Sequence, residues 1–299
     1  MRRTSLGLLV AVTAIWGLTF VMVQDAVRTT PVLSFLAWRF LIAGVVMSLL
    51  TAKAWRRMTW GALAHGLLLG GLLAAGYWLQ TFGLRATTVD LAGFLTGLAV
   101  VLTPVLAFVL WRRPTPPLVW ACAAAALGGL WLLAGSRGAL SVGDWLVVGG
   151  AGAFALQLLA TDVAVRRHPL SVLVAVELLA TGAISLAGAE ATGGLVWPTG
   201  PVVWTALLVT ALLASVVAFW AQGYAQQHAT PQETATVLAA EPLFAALFSY
   251  VLQGAALVGW QWVGAGLITG SIVALARVAP VDEGPPGLGT VISAADPHD

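Results

Sequence analysis

Residues 25–31 read Asp-Ala-Val-Arg-Thr-Thr-Pro, and residues 163–169 read Val-Ala-Val-Arg-Arg-His-Pro. The two stretches are 138 positions apart. The same offset relates four further pairs: Pro104 and Pro242, Ala37 and Ala175, Gly44 and Gly182, and Gly128 and Gly266. Residues 77–80 (Tyr-Trp-Leu-Gln) match residues 219–222 (Phe-Trp-Ala-Gln) at 142 positions, and four extra residues are about one helical turn, which preserves the helix face. One offset shared by many positions indicates two copies of one unit.

The composition is typical of a protein embedded in a membrane. Of the 299 residues, 60% are hydrophobic and 9% are charged, whereas soluble domains have about 45–50% apolar and about 25% charged residues. So few charges do not cover the surface of a soluble chain of this size, which excludes a cytosolic enzyme, a disordered protein and a nucleic-acid binder. The class that remains is a polytopic membrane protein.

Apolar runs between charged or Pro/Gly-rich breaks predict an all-α fold with ten transmembrane helices. They cover Leu6–Val27, Leu33–Ala52, Ala62–Leu84, Leu91–Trp111, Leu118–Ala134, Trp145–Val165, Leu170–Ala189, Val202–Ala225, Thr234–Leu252 and Leu257–Ala276. The first run follows a charged start and resembles a signal peptide. Because it continues to Val23 and the repeat requires it, we expect it to be retained as a helix.

The offset divides the chain into a first five-helix repeat at residues 1–138, a second at residues 139–279, and a tail at residues 280–299. The tail has no hydrophobic periodicity and is expected to be disordered and cytoplasmic. Because each repeat has an odd number of helices, the two enter the membrane in opposite directions. Such inverted repeats are typical of secondary transporters. The alternative is a duplication in a purely structural membrane protein.

The positions of Lys and Arg predict the orientation. If the amino terminus is cytoplasmic, the cytoplasmic cations are Arg2, Arg3, Lys53, Arg56, Arg57, Arg112, Arg113, Arg166, Arg167 and Arg277. Only Arg28, Arg85 and Arg137 then lie outside, and Arg39 lies within a span. The positive-inside rule therefore places both termini of this multi-pass protein in the cytoplasm, with the helices in the plasma (inner) membrane. The loop at residues 226–233, predicted to be cytoplasmic, has no Lys or Arg.

An ionisable residue within a span is a candidate functional residue, because burying it is costly. Glu241 lies about 12 Å into the ninth span, near the middle of a hydrocarbon core of about 30 Å. Pro242 follows it, and Thr103-Pro104 is the matching pair in the fourth span, so both prolines are predicted helix breaks beside a binding site. We expect Glu241 to face a cavity and to bind a substrate ammonium or carry a proton. The alternative is a buried structural acid.

Three further charges are candidate coupling or structural groups within the membrane. Arg39 and Glu177 occupy equivalent positions, 138 apart. A direct ion pair between them is an open alternative. It is disfavoured because their backbones are expected to differ by about 10 Å in depth. Local partners are favoured instead: Asp25 or Asp90 for Arg39, and Arg166 or Lys53 for Glu177. Asp162 is expected to lie at the interface near Arg166 rather than to act as a gate.

Aromatic and amide side chains complete the predicted cavity lining. In each Trp-x-Gln copy the amide lies about 200° around the helix from the Trp. Because an amide is costly in lipid, Gln80 and Gln222 are expected to face inward, with Tyr77 and Phe219 on the same face. The remaining candidates are Trp16, Thr103 and Gln157. Such a lining suits an amphipathic or aromatic metabolite.

The sequence predicts neither a metal site nor a cofactor. The single cysteine, Cys122, cannot form an intrachain disulfide, and the four histidines show no metal-binding spacing. The sequence contains no GxxxxGKS, HExxH or GxSxG motif, so ATP-driven transport would require a separate subunit and an intramembrane enzyme is disfavoured.

Short motifs in a fixed order carry a family resemblance. They are Trp16-Gly17, Ala37-Trp38-Arg39-Phe40, Gly93-Phe94-Leu95-Thr96, Leu102-Thr103-Pro104, Glu241-Pro242-Leu243-Phe244 and Gln261-Trp262-Val263-Gly264-Ala265. Together they resemble the EamA-type transporters of the drug/metabolite transporter superfamily. The resemblance implies ten helices around a cavity lined mainly by helices 1, 3, 4, 6, 8 and 9, and movement of small metabolites, often export of amino acids. The chain departs from the family at Gly254-Ala255, where members commonly carry Gly-Glu.

The residues and the resemblance together favour a secondary transporter that exports or exchanges small metabolites, such as amino acids or amines, by alternating access. The expected partners are the substrate and the lipid bilayer, with protons as a candidate coupling ion and no nucleic acid. The alternatives are a channel, a non-transporting membrane scaffold or an intramembrane enzyme.

Overall fold

The computed structural model describes residues 2–87, 89–112, 115–134, 140–253 and 259–277. Within these ranges the regular structure is helical. The predicted tail at residues 280–299 and the pair Gly254-Ala255 lie outside the described residues.

The described helices overlap each of the ten predicted segments. The first repeat contains α1 (Arg2–Thr29), α2 (Val32–Leu50), α3 (Trp60–Leu84), α4 (Val89–Gly97), α5 (Ala99–Trp111) and α6 (Pro117–Ala134), with a 3₁₀ turn at Ala52–Arg57. The second contains α7 (Val142–Val165), α8 (Leu170–Ala191), α9 (Pro201–Ala211), α10 (Ala218–Gln226), α11 (Pro231–Leu238), α12 (Glu241–Gln253) and α13 (Gly259–Arg277). A π-helical segment, Leu212–Val217, joins α9 to α10 in one continuous helix.

Length and composition allow seven of the described helices or helix pairs to cross a membrane. These spans include α4 and α5 as one unit and α9 to α10 as another. The apolar helix Pro117–Leu132 is shorter. A helical membrane protein is therefore shown, while the number of ten crossings stays a prediction.

The fourth and ninth predicted spans are interrupted helices. The ninth is interrupted at Ala239 and Ala240. Pro242 therefore lies in the first turn of α12. Backbone N–H groups in a first turn have no partner within the helix, so the N–H that proline lacks costs no helical hydrogen bond. The fourth differs from its prediction, because Pro104 lies inside α5 and the interruption is at Leu98. At this interruption the Leu98 N–H donates to the Leu95 carbonyl at 3.2 Å, an i to i−3 bond tighter than that of an α-helix.

Helices α2 and α8 pack against each other through equivalent residues. A Cβ atom on Gly44 would lie 2.8 Å from the backbone nitrogen of Leu179, and one on Gly182 would lie 2.7 Å from that of Leu41. Gly182 and Leu179 each lie 138 positions beyond Gly44 and Leu41, so one contact is the image of the other. A reciprocal contact between two antiparallel helices is what a two-fold axis perpendicular to them produces.

Helix α3 of the first repeat packs between α7 and α8 of the second. Small residues permit this approach: Gly66 lies against Val176, and a Cβ on Gly70 would lie 2.5 Å from the Cβ of Ala180 and 2.7 Å from the carbonyl oxygen of Glu177. The Thr181 hydroxyl donates to the Gly70 carbonyl at 3.1 Å. The two repeats therefore interlock rather than lie side by side, and the space between them becomes the site described below.

Gly70→Ala is expected to lower the free energy of unfolding by about 1–3 kcal/mol, because the added methyl group overpacks the contact between α3 and α8. The matched control is Gly71→Ala, since a Cβ there meets nothing within 4 Å and alanine favours the helix by about 0.5–1 kcal/mol. Thermal unfolding of the purified protein in detergent measures both variants. Equal stability of the two would contradict the tight packing of α3 on α8.

Candidate functional site

A cavity lies between the two repeats, and helices of both repeats form its wall. The lining residues are Trp16, Thr19, Phe20, Val23, Arg39, Tyr77, Gln80, Thr81, Leu84, Thr96, Gly97, Ala99, Phe154, Gln157, Leu158, Phe219, Gln222, Ala235, Leu238, Ala239, Glu241 and Pro242. The family resemblance implies a lining from the first, third, fourth, sixth, eighth and ninth predicted spans, and the lining residues belong to these spans. The one addition is Arg39 of α2, which is the second span.

Most of the predicted site residues meet in this cavity. Those that line it are Trp16, Tyr77, Gln80, Gln157, Phe219, Gln222, Glu241 and Pro242. Thr103 and Pro104 are not among the lining residues, and the Thr103 hydroxyl donates to the Ala99 carbonyl of its own helix at 2.7 Å. Asp162 pairs with Arg166 at 2.8 Å near the end of α7, as predicted, and lies apart from the lining.

The uncharged lining follows the internal repeat. Six pairs of equivalent positions line the cavity: Trp16 and Phe154, Thr19 and Gln157, Phe20 and Leu158, and Gly97 and Ala235 at an offset of 138, and Tyr77 and Phe219, and Gln80 and Gln222, at an offset of 142. Phe154, Thr19 and Phe20 were not predicted as site residues. Phe154 could have been found, because it lies 138 positions beyond the predicted residue Trp16.

The charges break this symmetry. Arg39 lines the cavity, while its equivalent, Glu177, does not. Glu241 lines the cavity, while its equivalent, Thr103, does not. A shell of related aromatic and amide groups therefore holds one cation and one acid that the repeat does not duplicate.

Arg39 is buried and satisfied by neutral groups. Its Nε donates to the Ser215 hydroxyl at 3.0 Å, and its Nη2 donates to the Tyr77 hydroxyl at 3.2 Å and to the Ala214 carbonyl at 3.5 Å. The guanidinium carbon also lies 4.6 Å from the Tyr77 ring centroid and 4.9 Å from that of Phe40, within the range of cation–π attraction.

Of the two partners predicted for Arg39, Asp25 is wrong, and the Asp90 alternative falls on a side chain that the structure does not describe. Asp25 pairs with Arg28 at 3.2 Å, one turn along α1 at the exposed helix end. The side chain of Asp90 lies outside the described residues. A buried guanidinium needs hydrogen-bond acceptors but not a carboxylate, and hydroxyl and carbonyl oxygens supply them here.

The π-helical segment at Leu212–Val217 provides two of these acceptors. Ala214 and Ser215 both belong to it. The Ala214 carbonyl also accepts a hydrogen bond from Trp16 Nε1 at 2.8 Å. Such π turns are frequent at functional sites because they alter the regular helical hydrogen bonding, and this one connects the second repeat to α1 and α2 of the first.

Glu177 lies behind the cavity wall. Its carboxylate accepts a hydrogen bond from Gln157 Nε2 at 2.8 Å, and Gln157 in turn lines the cavity. Among the described contacts there is no ion pair between Glu177 and Arg39, and the predicted partner Arg166 is engaged with Asp162. The predicted alternative Lys53 is exposed whereas Glu177 is buried, so among the described contacts the partner of this carboxylate is the amide of Gln157.

Gln157 begins a run of buried amides. Gln222 Nε2 donates to Gln157 Oε1 and to Gln226 Oε1, both at 3.2 Å, and Gln226 Nε2 donates to the Leu158 carbonyl at 2.8 Å. Sequence reasoning missed Gln226, although it follows Gln222 by four residues and so lies on the same helix face.

Aromatic rings of both repeats pack against one another in the cavity wall. Trp16 and Phe219 have ring centroids 5.4 Å apart, and Tyr77 and Phe154 lie 5.2 Å apart edge to face, in the range where aromatic pairs attract. The Trp of each Trp-x-Gln copy points away from the lining. Trp78 Nε1 donates to the Ser185 hydroxyl, while Trp220 stacks on Tyr224.

Two histidines meet at one end of α3. His168 Nε2 lies 3.3 Å from His65 Nδ1. Desolvation by partial burial, and then His65 and Arg167 nearby, lower the pKa of His168, which lies in the loop after α7. Two imidazoles do not form a metal centre, and the described residues contain no group of three or more His, Cys, Asp or Glu that could hold a metal ion.

The whole chain is similar to known membrane transporters. The sequence model of the EamA-like transporter family matches residues 3–135 and 141–277, one match in each repeat, which confirms the resemblance inferred from the motifs. An uncharacterized transporter of Archaeoglobus fulgidus is 28% identical over 265 residues, covering 89% of this chain and 83% of that protein. A protein of known crystal structure has 22% identity and a TM-score of 0.75, over 93% of this chain and 99% of that one. This last likeness shows the fold.

Ser215→Ala is expected to lower the free energy of unfolding by about 1.5–3 kcal/mol, because it removes an acceptor from a buried charged group. Ser48→Ala is the matched control, since the Ser48 hydroxyl donates only to the Gly44 carbonyl within its own helix. Thermal unfolding in detergent compares the two variants. A loss no larger than that of the control would show that Arg39 does not depend on Ser215.

Proposed function

The chain belongs to the EamA-like transporter family, and we propose that it is a secondary transporter that moves small metabolites by alternating access through the cavity between its repeats. Its substrates are amino acids, amines or related compounds, which it exports or exchanges. The helices cross the plasma (inner) membrane ten times, with both termini in the cytoplasm. The observation that carries the proposal is a cavity that holds Arg39 and Glu241 within a shared aromatic and amide wall.

The reciprocal packing of the repeats supports alternating access. When two similar halves of opposite orientation exchange conformations, a site between them changes the side to which it opens. The cavity extends to Val23 and Leu84, toward the proposed outer ends of α1 and α3. Toward the proposed cytoplasmic ends, Leu9, Ala225 and Val237 pack into one buried cluster. These positions support an assignment of the described conformation to the outward-facing state.

The charges of the cavity favour a substrate that carries an ammonium group. Glu241 supplies an acceptor for such a group or for a coupling proton. Arg39 is always charged and suits a substrate carboxylate, so an amino acid matches both charges. The rings of Trp16 and Phe219 suit an apolar or aromatic side chain.

Glu241→Gln is expected to reduce saturable exchange in proteoliposomes by about tenfold or more, because a charged hydrogen-bond acceptor is lost. The assay uses radiolabelled L-amino acids and the amines obtained from them by decarboxylation. Glu190→Gln, an exposed acid at the end of α8, is the control and should keep full exchange. Unchanged exchange in Glu241→Gln would remove the carboxylate from the mechanism, and no saturable flux of any compound would contradict transport itself.

The orientation is tested by cysteine labelling. Cys122 is the single cysteine, so a Cys122→Ala background accepts one new thiol at a time. Thr192→Cys should react with a membrane-impermeant maleimide in intact cells, whereas Arg57→Cys should react only after permeabilisation. Both positions are exposed, so the reverse pattern would show that the chain is inserted the other way round.

A further inference from the structure

Three glutamine side chains form a continuous hydrogen-bonded chain behind and within the cavity wall. We call Gln157, Gln222 and Gln226 the amide ladder. They are 3%, 1% and 0% exposed. The ladder runs from the carboxylate of Glu177, through its three amides, to the backbone carbonyl of Leu158.

The two ends of the ladder fix the direction of every hydrogen bond within it. A carboxylate and a backbone carbonyl act as acceptors. Gln157 must therefore present its NH₂ group to Glu177, and Gln226 must present its NH₂ group to Leu158. Gln157 and Gln226 then turn their Oε1 atoms toward Gln222. Because these two oxygens are acceptors, Gln222 must donate one hydrogen of its NH₂ group to each. The orientation of Gln222 is thus determined from both sides.

This leaves the carbonyl oxygen of Gln222 without a donor. Both hydrogens of Nε2 are used by Gln157 and Gln226, and none of the hydrogen bonds of the described residues ends on Gln222 Oε1. Gln222 lines the cavity, so this oxygen is available to a hydrogen-bond donor on a molecule bound there. Glu241, on the same wall, is a second acceptor.

We propose that the amide ladder makes Gln222 Oε1 a substrate-binding acceptor that selects a group carrying N–H donors, of which a primary ammonium is the simplest. Glu177 is a positioning residue: it orients the ladder and does not touch the substrate. The inference rests on the proposed function, because it concerns the substrate of that same cavity.

The equivalent amide of the first repeat lacks this constraint. Gln80 Nε2 donates to the Thr96 hydroxyl at 2.9 Å. A hydroxyl both donates and accepts, so Thr96 does not dictate which end of the Gln80 amide faces the cavity. The orientation of Gln222, in contrast, is set through Gln157 and Gln226 by the two ends of the ladder, the carboxylate of Glu177 and the carbonyl of Leu158.

Two probes separate this acceptor from the charge of Glu241. Phenethylammonium and N,N,N-trimethylphenethylammonium share an aromatic ring and a single positive charge, but only the first has N–H donors. The charge of a carboxylate attracts both cations, and any acceptor oxygen favours the first, so the part of the preference that is lost in Gln222→Leu reports on the carbonyl. The aromatic ring suits the Trp16 and Phe219 wall.

The experiment measures binding of both probes to the purified full-length protein by isothermal titration calorimetry. We expect the native protein to bind phenethylammonium about tenfold more tightly than the trimethylated probe, which is the usual size of one hydrogen bond to a charged group. Gln222→Leu should reduce this ratio severalfold and leave the affinity for the trimethylated probe nearly unchanged. Glu177→Leu leaves only the Leu158 end of the ladder to orient Gln222 and should reduce the ratio by a smaller factor. Glu177→Gln keeps a carbonyl oxygen that can accept from Gln157 and should reduce the ratio less than Glu177→Leu does.

The control is Glu190→Leu on the same helix, which should keep the native ratio. A merely destabilised cavity would weaken both probes alike, so a change in the ratio reports on the ladder. Equal binding of both probes to the native protein, or a preference that is undiminished in Gln222→Leu and Glu177→Leu, would overturn the ladder and leave the transporter proposal intact. Failure of both probes to bind would contradict the ammonium-binding cavity itself, and with it the ladder.

Discussion

A charge buried among membrane helices must find its hydrogen-bond partners inside the protein, because hydrocarbon offers none. Arg39 meets this constraint by reaching from the first repeat to Ser215 and to the Ala214 carbonyl of the second. Tyr77 accepts a third bond from it, and Trp16 donates to the same Ala214 carbonyl. The position of the cation therefore depends on the two repeats being docked, and the wall of the cavity is assembled around it.

The repeat and the charges have separate consequences for the cavity. Duplication supplies a nearly symmetric wall, in which an aromatic or amide group of one repeat faces its equivalent in the other. Such a wall can rearrange so that either repeat adopts the conformation of the other, which is the requirement of alternating access. Arg39 and Glu241 are not duplicated, so a substrate would meet one arrangement of charge in both states. Glu177 departs from its equivalent in the same way, by turning from the cavity toward Gln157.

Sequence reasoning reached the helices, the repeat and most of the lining, because hydropathy and a fixed offset are local patterns. It failed where the answer depended on neighbours in space. Charged partners were expected for Arg39 and Glu177 from residues near in sequence or depth, whereas the structure supplies a hydroxyl and an amide from other helices. A sequence gives the depth of a residue along its helix but not the helix that it faces. The break predicted at Pro104 was also misplaced, since Pro104 lies inside α5 and the interruption is at Leu98.

The central claim is that two equivalent halves exchange around one charged cavity. Electron spin resonance distances between labelled cysteines in liposomes test it most directly, with one pair at Thr4 and Gln227 and another at Arg28 and Ala86, in a Cys122→Ala background. These pairs lie at opposite ends of the bundle. We expect two populations of distances for each pair, and the distance of the first pair should be long when that of the second is short. Adding an exchange substrate should shift the protein from one population to the other. A single unchanged distance for both pairs, in a protein that still carries out exchange, would contradict it.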